Sequence, residues 1–207
     1  MNYSFTVLHI SDLHARGPHE EDWRRSRVLG ESWRSNLTEL IKEAPIDFIT
    51  FTGDLANSGK AEEYRAAGRF LDEVLDSLGL SRKRLFLIPG NHDIDRERSD
   101  EAKEAWRALR TKLTECSDPE RQEASRWLAG KRAPSRFDDT WRDRALSRQD
   151  SYRAFLREIG RAELLPENSA HKHLGYRQTL RLPGRPFDIH IIGLDSAWLA
   201  GDDSDAG

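Results

Sequence analysis

The chain has 207 residues, a formal net charge of −3 and one cysteine, Cys116. That length suits a single domain with a substantial core. The near-neutral balance argues against a partner recognised by bulk charge, and a lone cysteine excludes an intrachain disulfide framework or a cysteine-built metal site.

Phe5 to Ile10 is an apolar, β-rich run with no basic leader before it, so it reads as a buried strand, not a signal peptide. It breaks at the polar turn Ser11-Asp12-Leu13-His14. Asp22 to Ala44 carries apolar residues at helical spacing and ends before Pro45, which disfavours helical backbone in the preceding residue. Ile46 to Thr52 is a second strand, stopping at Gly53-Asp54. Ala61 to Leu78 is a second amphipathic helix, with Gly79 placed to close it. Arg84 to Ile88 is a third strand, stopping at Pro89-Gly90-Asn91-His92-Asp93. This β-α-β-α-β order predicts an α/β fold with a parallel sheet whose functional groups gather at the carboxyl ends of the strands.

Residues 95–161 read as a helical insert within one 1–207 domain. Helices are expected near Ser99 to Glu115, Pro119 to Ala129 and Arg148 to Gly160, packed together by Trp106, Trp127 and Trp141. From Leu174 the strand signal returns: Tyr176 to Leu182 and Phe187 to Leu194 flank a Pro-Gly turn as a hairpin. No apolar run approaches the ~20 residues of a membrane span, and the expected location is the cytoplasm.

Three motifs stand in order, each directly after an expected strand: Asp12-Leu13-His14, Gly53-Asp54 and Gly90-Asn91-His92-Asp93. The first arises by chance in roughly one chain of this length in five and a Gly-Asp pair is common in any turn, whereas the tetrapeptide arises by chance in about one such chain per thousand. Two divalent cations ~3.5–4 Å apart can clamp a phosphate and polarise a water. A carboxylate must bridge them, and Asp54 is the candidate. Asp12 and His14, two apart on extended backbone, can reach one metal together; Asn91 offers a neutral oxygen to the other. This mixed oxygen and nitrogen set suits Mn, Fe, Zn or Co. His92 and Asp93 are the candidate catalytic residues. His92 would stabilise transition-state charge or protonate the leaving oxygen, with Asp93 orienting the imidazole from behind. The structural alternative is that His92 caps the turn and Asp93 starts a helix.

The blocks HISDLH, FTGDLANSGKAEEY and LIPGNHD resemble the first three signatures of the calcineurin-like metallophosphoesterases, and the second is most similar to their cyclic-nucleotide phosphodiesterase branch. The resemblance covers residues 5–95 well and 174–196 loosely. It implies a four-layer αββα sandwich and hydrolysis of a phosphate ester by a metal-bridged hydroxide. Cyclic nucleotides are the favoured substrate and nucleic acid the second. The family completes its site with a later histidine and a Gly-His-x-His block, neither of which is found here. His171-Lys172-His173 reads as a surface loop and His9 as packed behind the site. The expectation is therefore a domain incomplete at its C-terminus, finished by further C-terminal sequence or a partner chain. The alternative is a catalytically incomplete module for binding or assembly in a larger protein.

Overall fold

The computed structural model describes residues 3–17, 30–128, 134–166 and 174–201. Three parallel strands, β1 (Val7–Ile10), β2 (Phe48–Thr52) and β3 (Leu85–Ile88), form one sheet in that order, with Val7 opposite Phe48 and Ile49 opposite Leu85. The crossovers carry α1 (Glu31–Glu43) and α2 (Ala61–Leu78). Ala44 is extended, as the following proline requires. α2 has the expected bounds because both ends are specified. Glu63 folds back to accept the amides of Ser58 (2.9 Å) and Lys60 (3.0 Å) at its start, and Gly79 closes it in left-handed conformation.

The second sheet is an antiparallel hairpin of β4 (Gly175–Arg181) and β5 (Asp188–Leu194). Alternation sends Tyr176, Leu180, Ile189 and Ile191 into the core of the parallel sheet, while Ile192 and Leu194 face out. The same core holds Ile49, Phe51, Leu85 and Leu87 of the strands and Tyr64, Leu71, Val74 and Leu75 of α2. This is the mixed α/β architecture expected of the sandwich. Among the described residues, no helix is long and apolar enough to cross a membrane.

The helical stretch divides by its packing. α3 (Asp100–Glu115), α4 (Asp118–Leu128) and α5 (Trp141–Leu146) share a second core around Trp106, Leu109, Trp127, Phe137 and Leu146. The expected tryptophans do pack these helices, while α5 was not anticipated. α6 (Asp150–Glu158) belongs instead to the main core, with Phe155 stacked 5.4 Å from Tyr64. The second core joins the main one at a neck where the Asp95 amide donates to the Arg148 carbonyl (2.9 Å) and Arg98 pairs with Asp150 (2.9 Å). The segment after β5 pins it: Trp198 joins the second core, and Trp106 Nε1 donates to the Leu199 carbonyl (2.7 Å).

Candidate metal centre

Parallel pairing does not stop where the strands do. Beyond β1 and β2 the amides of Asp12, His14 and Ala15 donate to the carbonyls of Gly53, Asp54 and Leu55, at 3.2, 2.9 and 2.9 Å, and the Asn57 amide returns to Ala15 (3.0 Å). The first two motif loops are thus zipped side by side. The third is drawn in by its backbone: the His92 amide donates to Asp54 Oδ1 at 2.9 Å. Gly53 and Gly90 permit that approach. A β-carbon on Gly53 would lie 2.9 Å from Gly90 Cα, and one on Gly90 would lie 2.5 Å from the Asp54 nitrogen.

The side chains converge accordingly. His14, Asp54 and His92 each offer a ligand atom, all within 4.8 Å of one another. Asp12 Oδ1 and Asp54 Oδ2 flank His14 Nε2, at 3.8 and 4.0 Å, and Asp54 is the more enclosed, its side chain 14% exposed against 65% for Asp12. Asn91 is exposed in the short 3₁₀ turn Asn91–Asp93, directly beside His92. Among the described residues, the non-glycine positions with left-handed backbone are Asp12 (φ 58°), His14 (φ 46°) and Asp54 (φ 56°). Such backbone is disfavoured for side-chain-bearing residues and collects at functional sites. Here it falls on three expected ligands.

Asp93 does not orient the imidazole, so that expectation is corrected. Its carboxylate is fully buried and accepts from the amides of Leu55 (3.2 Å), Ala56 (2.9 Å) and Gly90 (2.9 Å) and from the Tyr64 hydroxyl (3.0 Å). Burial pushes this carboxyl above its ordinary range, against the lowering effect of those four donors. Asp93 is the staple between the second and third motif loops. The group behind His92 is the Asn57 carbonyl, 2.8 Å from Nδ1. A carbonyl only accepts, so Nδ1 carries a proton and Nε2 is the nitrogen left for chemistry. His9 is also corrected: it is exposed on β1, bonded to Thr52 Oγ1 (2.6 Å), and not packed behind the site. The expected loop at His171 and His173 lies outside the described residues. Neither Asn57 nor Tyr64 stood out in the sequence, since a backbone carbonyl and a core tyrosine leave no motif.

A family model described as calcineurin-like phosphoesterase matches residues 5–192. The chain belongs to the calcineurin-like phosphoesterase family. It is 32% identical over 90 residues to a metallophosphoesterase-like protein, YydB, of Bacillus subtilis, covering 44% of this chain and 18% of that one. It is 34% identical over 88 residues to the glycerophosphodiester phosphodiesterase GpdQ of Enterobacter lignolyticus, covering 42% and 29%. The chain therefore spans less than a third of either relative's length.

Calcineurin-like phosphoesterases depend on metal, and the residues present fit one. The His14 imidazole and the carboxylates of Asp54 and, beside His14, Asp12 give a mixed nitrogen and oxygen donor set, with the His92 imidazole next to it. Ligands of a tetrahedral ion bound at ~2.0–2.2 Å sit about 3.5 Å apart, near the spacing of this cluster. The close approach of the loops leaves no room for a side chain at Gly90. Gly90→Ala is expected to cost on the order of 3 kcal/mol or more, because the new carbon meets the Asp54 backbone nitrogen and also the Asp54 carboxylate, which the His92 amide holds in place. Urea denaturation of the metal-free protein measures this, and an unchanged midpoint contradicts the close approach.

A half-buried carboxyl lies just past β5. Burial pushes Asp195 from the usual 3.8 up to about 6, opposed by a hydrogen bond from the Gln149 side chain, by the Ala197 amide (3.1 Å) and by Arg153. The folded form therefore holds its proton after the unfolded chain has lost one. This contribution to stability is full below about pH 4 and is lost as pH rises to about 6. The loss is at most about 3 kcal/mol. Asp195→Asn is expected to flatten that part of the stability–pH curve, measured by denaturation between pH 4 and 7.

Proposed function

We propose that this chain is a metal-dependent phosphodiesterase using two divalent cations drawn from Mn, Fe, Zn or Co. The observation that carries this reading is the convergence of Asp12, His14 and Asp54 on left-handed backbone, with His92 beside them. Bound cations would neutralise the phosphate and bring a water's pKa near neutrality. Asp54, more enclosed than Asp12, would hold the cations together with Asp12, His14 and Asn91. In the hydrolytic step the water oxygen forms the new bond to phosphorus and the bond to the leaving alcohol breaks. The Nε2 proton of the His92 imidazolium goes to the alcohol oxygen, and the water's proton goes to solvent. The Asn57 carbonyl keeps the ring turned for that transfer. A diester is favoured over a monoester by the glycerophosphodiester phosphodiesterase relative, and cyclic nucleotides are the first diesters to try, ahead of nucleic acid.

The count of ligands favours a second reading, in which the fold serves as a binding or assembly module. Among the described residues, His14, Asp54 and His92 gather with Asp12 beside His14, a set that suffices for one ion but is sparse for two. The test is hydrolysis of bis(p-nitrophenyl) phosphate and of a 3′,5′-cyclic nucleotide with added Mn²⁺, by this chain and by a C-terminally extended one. Turnover abolished by chelation is expected. Silence in both forms, with metal bound, leaves only the module.

A further inference from the structure

Beside the metal-binding group, with His92 in its wall, lies an open cleft of about 370 Å³. A group that hands a proton to the leaving oxygen must be within hydrogen-bond reach of it. The alcohol being expelled by His92 therefore has to occupy the space next to His92, and the chemistry of that space selects the alcohol.

The wall has an unusual character for a ligand site, because cations and anions interleave along it. Lys60 Nζ sits 2.6 Å from Asp95 Oδ1 and 3.7 Å from Glu97 Oε2. Asp95 is held in turn, its Oδ1 accepting the Glu97 amide at 3.0 Å and its own amide fixed on the neck at Arg148. Lys60 is thereby anchored at the start of α2 with three N–H donors and two carboxylates to share them. Asn57 adds an amide whose oxygen takes Arg16 Nε at 3.2 Å. Ile94 is the apolar member of the lining, and it is 1% exposed.

Three kinds of leaving group can be weighed against this wall. An aromatic one finds no apolar face and would strip water from charged groups without replacing it. An anionic one gains Lys60 and Arg96 but meets Asp95 and Glu97 in the same wall, so its charge finds no net attraction there. A hydroxyl both donates and accepts, so neighbouring hydroxyls can give to a carboxylate and take from the lysine at once.

We propose that this cleft is the leaving-group subsite and that it takes a polyhydroxylated alcohol, of the class of glycerol or ribose, with Lys60 and Glu97 as specificity residues. The proposal rests on the phosphodiesterase reading above. Neck residues Glu97 and Asp95 place one wall of the subsite on the segment that leads into the helical insert, so the insert would set the cleft's width from outside the metal centre.

The test uses a matched pair, glyceryl methyl phosphate and propyl methyl phosphate, which differ by two hydroxyls on an otherwise equal leaving group. With Mn²⁺ and the full chain, the glyceryl diester is expected to be preferred in kcat/KM by on the order of a hundredfold. Lys60→Met and Glu97→Gln should each reduce that preference about tenfold. Glu97 has a side chain 81% exposed, so its variant keeps the test open if the lysine variant does not fold. A wild-type ratio near one, a ratio unmoved in folded variants, or preference for a leaving group bearing a second phosphate each overturns the subsite while leaving the phosphodiesterase reading standing. If no diester is hydrolysed, that reading fails first, and binding then decides the cleft. Glycerol 3-phosphate, but not propyl phosphate, should shift the Asn57 and Glu97 amide resonances of the metal-free chain, and equal or absent shifts overturn it.

Discussion

Asp54→Ala should weaken Mn²⁺ binding by more than a hundredfold, to the point where calorimetry detects no uptake. Loss of a group that merely orients a ligand costs 10–100-fold in affinity, so loss of the central ligand must cost more. Two further consequences separate this from general damage. Asp54 Oδ1 accepts the His92 amide, so alanine leaves that donor unpaired at about 1–3 kcal/mol. Alanine also tolerates the φ of 56° less well than aspartate does. Asp54→Asn keeps both the acceptor and the tolerance for left-handed backbone and removes the charge. It should therefore restore most of the metal-free stability without restoring metal. Metal binding preserved in both variants would mean that the three loops converge for some purpose other than holding cations.

What could be read from the sequence follows from how far apart the interacting groups lie. α2 was legible to the residue because its apolar stripe, its Glu63 return and Gly79 all lie within the helix or just beyond it. The three strand-end motifs were legible because each expected strand stops at a polar turn, and a parallel sheet brings such turns to one edge. Asp93 was misread because its partners at Leu55 and Ala56 are 37–38 residues away and are backbone amides, which any residue would supply. Asn57 escaped for the same reason, since it acts on His92 through a carbonyl. α5 has six residues, too short for a periodic stripe, and is held by the second core and by Trp141 against Phe137. Lys60 was invisible as a specificity residue because only the neck at Asp95 and Glu97 turns a surface lysine into part of a wall.

His92→Ala should leave Mn²⁺ affinity in place and lower kcat by about 10²–10⁴-fold for a diester with an alkyl leaving group. The geometry makes the reason testable. Nδ1 is committed to the Asn57 carbonyl, and the ring stands edge-on to His14 with centroids 4.6 Å apart, so the imidazole is held at the metal group by contacts that need no cation. From that pose Nε2 can give a proton only when the ring is an imidazolium. An alkoxide needs that proton to depart, whereas p-nitrophenolate is stable without it. The defect should therefore shrink to less than about tenfold with bis(p-nitrophenyl) phosphate. An equal loss on both substrates, with metal retained, assigns His92 to stabilising charge on the phosphoryl oxygens. Loss of metal assigns it to the ligand set, where its ring nitrogen already lies within 4.8 Å of ligand atoms of His14 and Asp54.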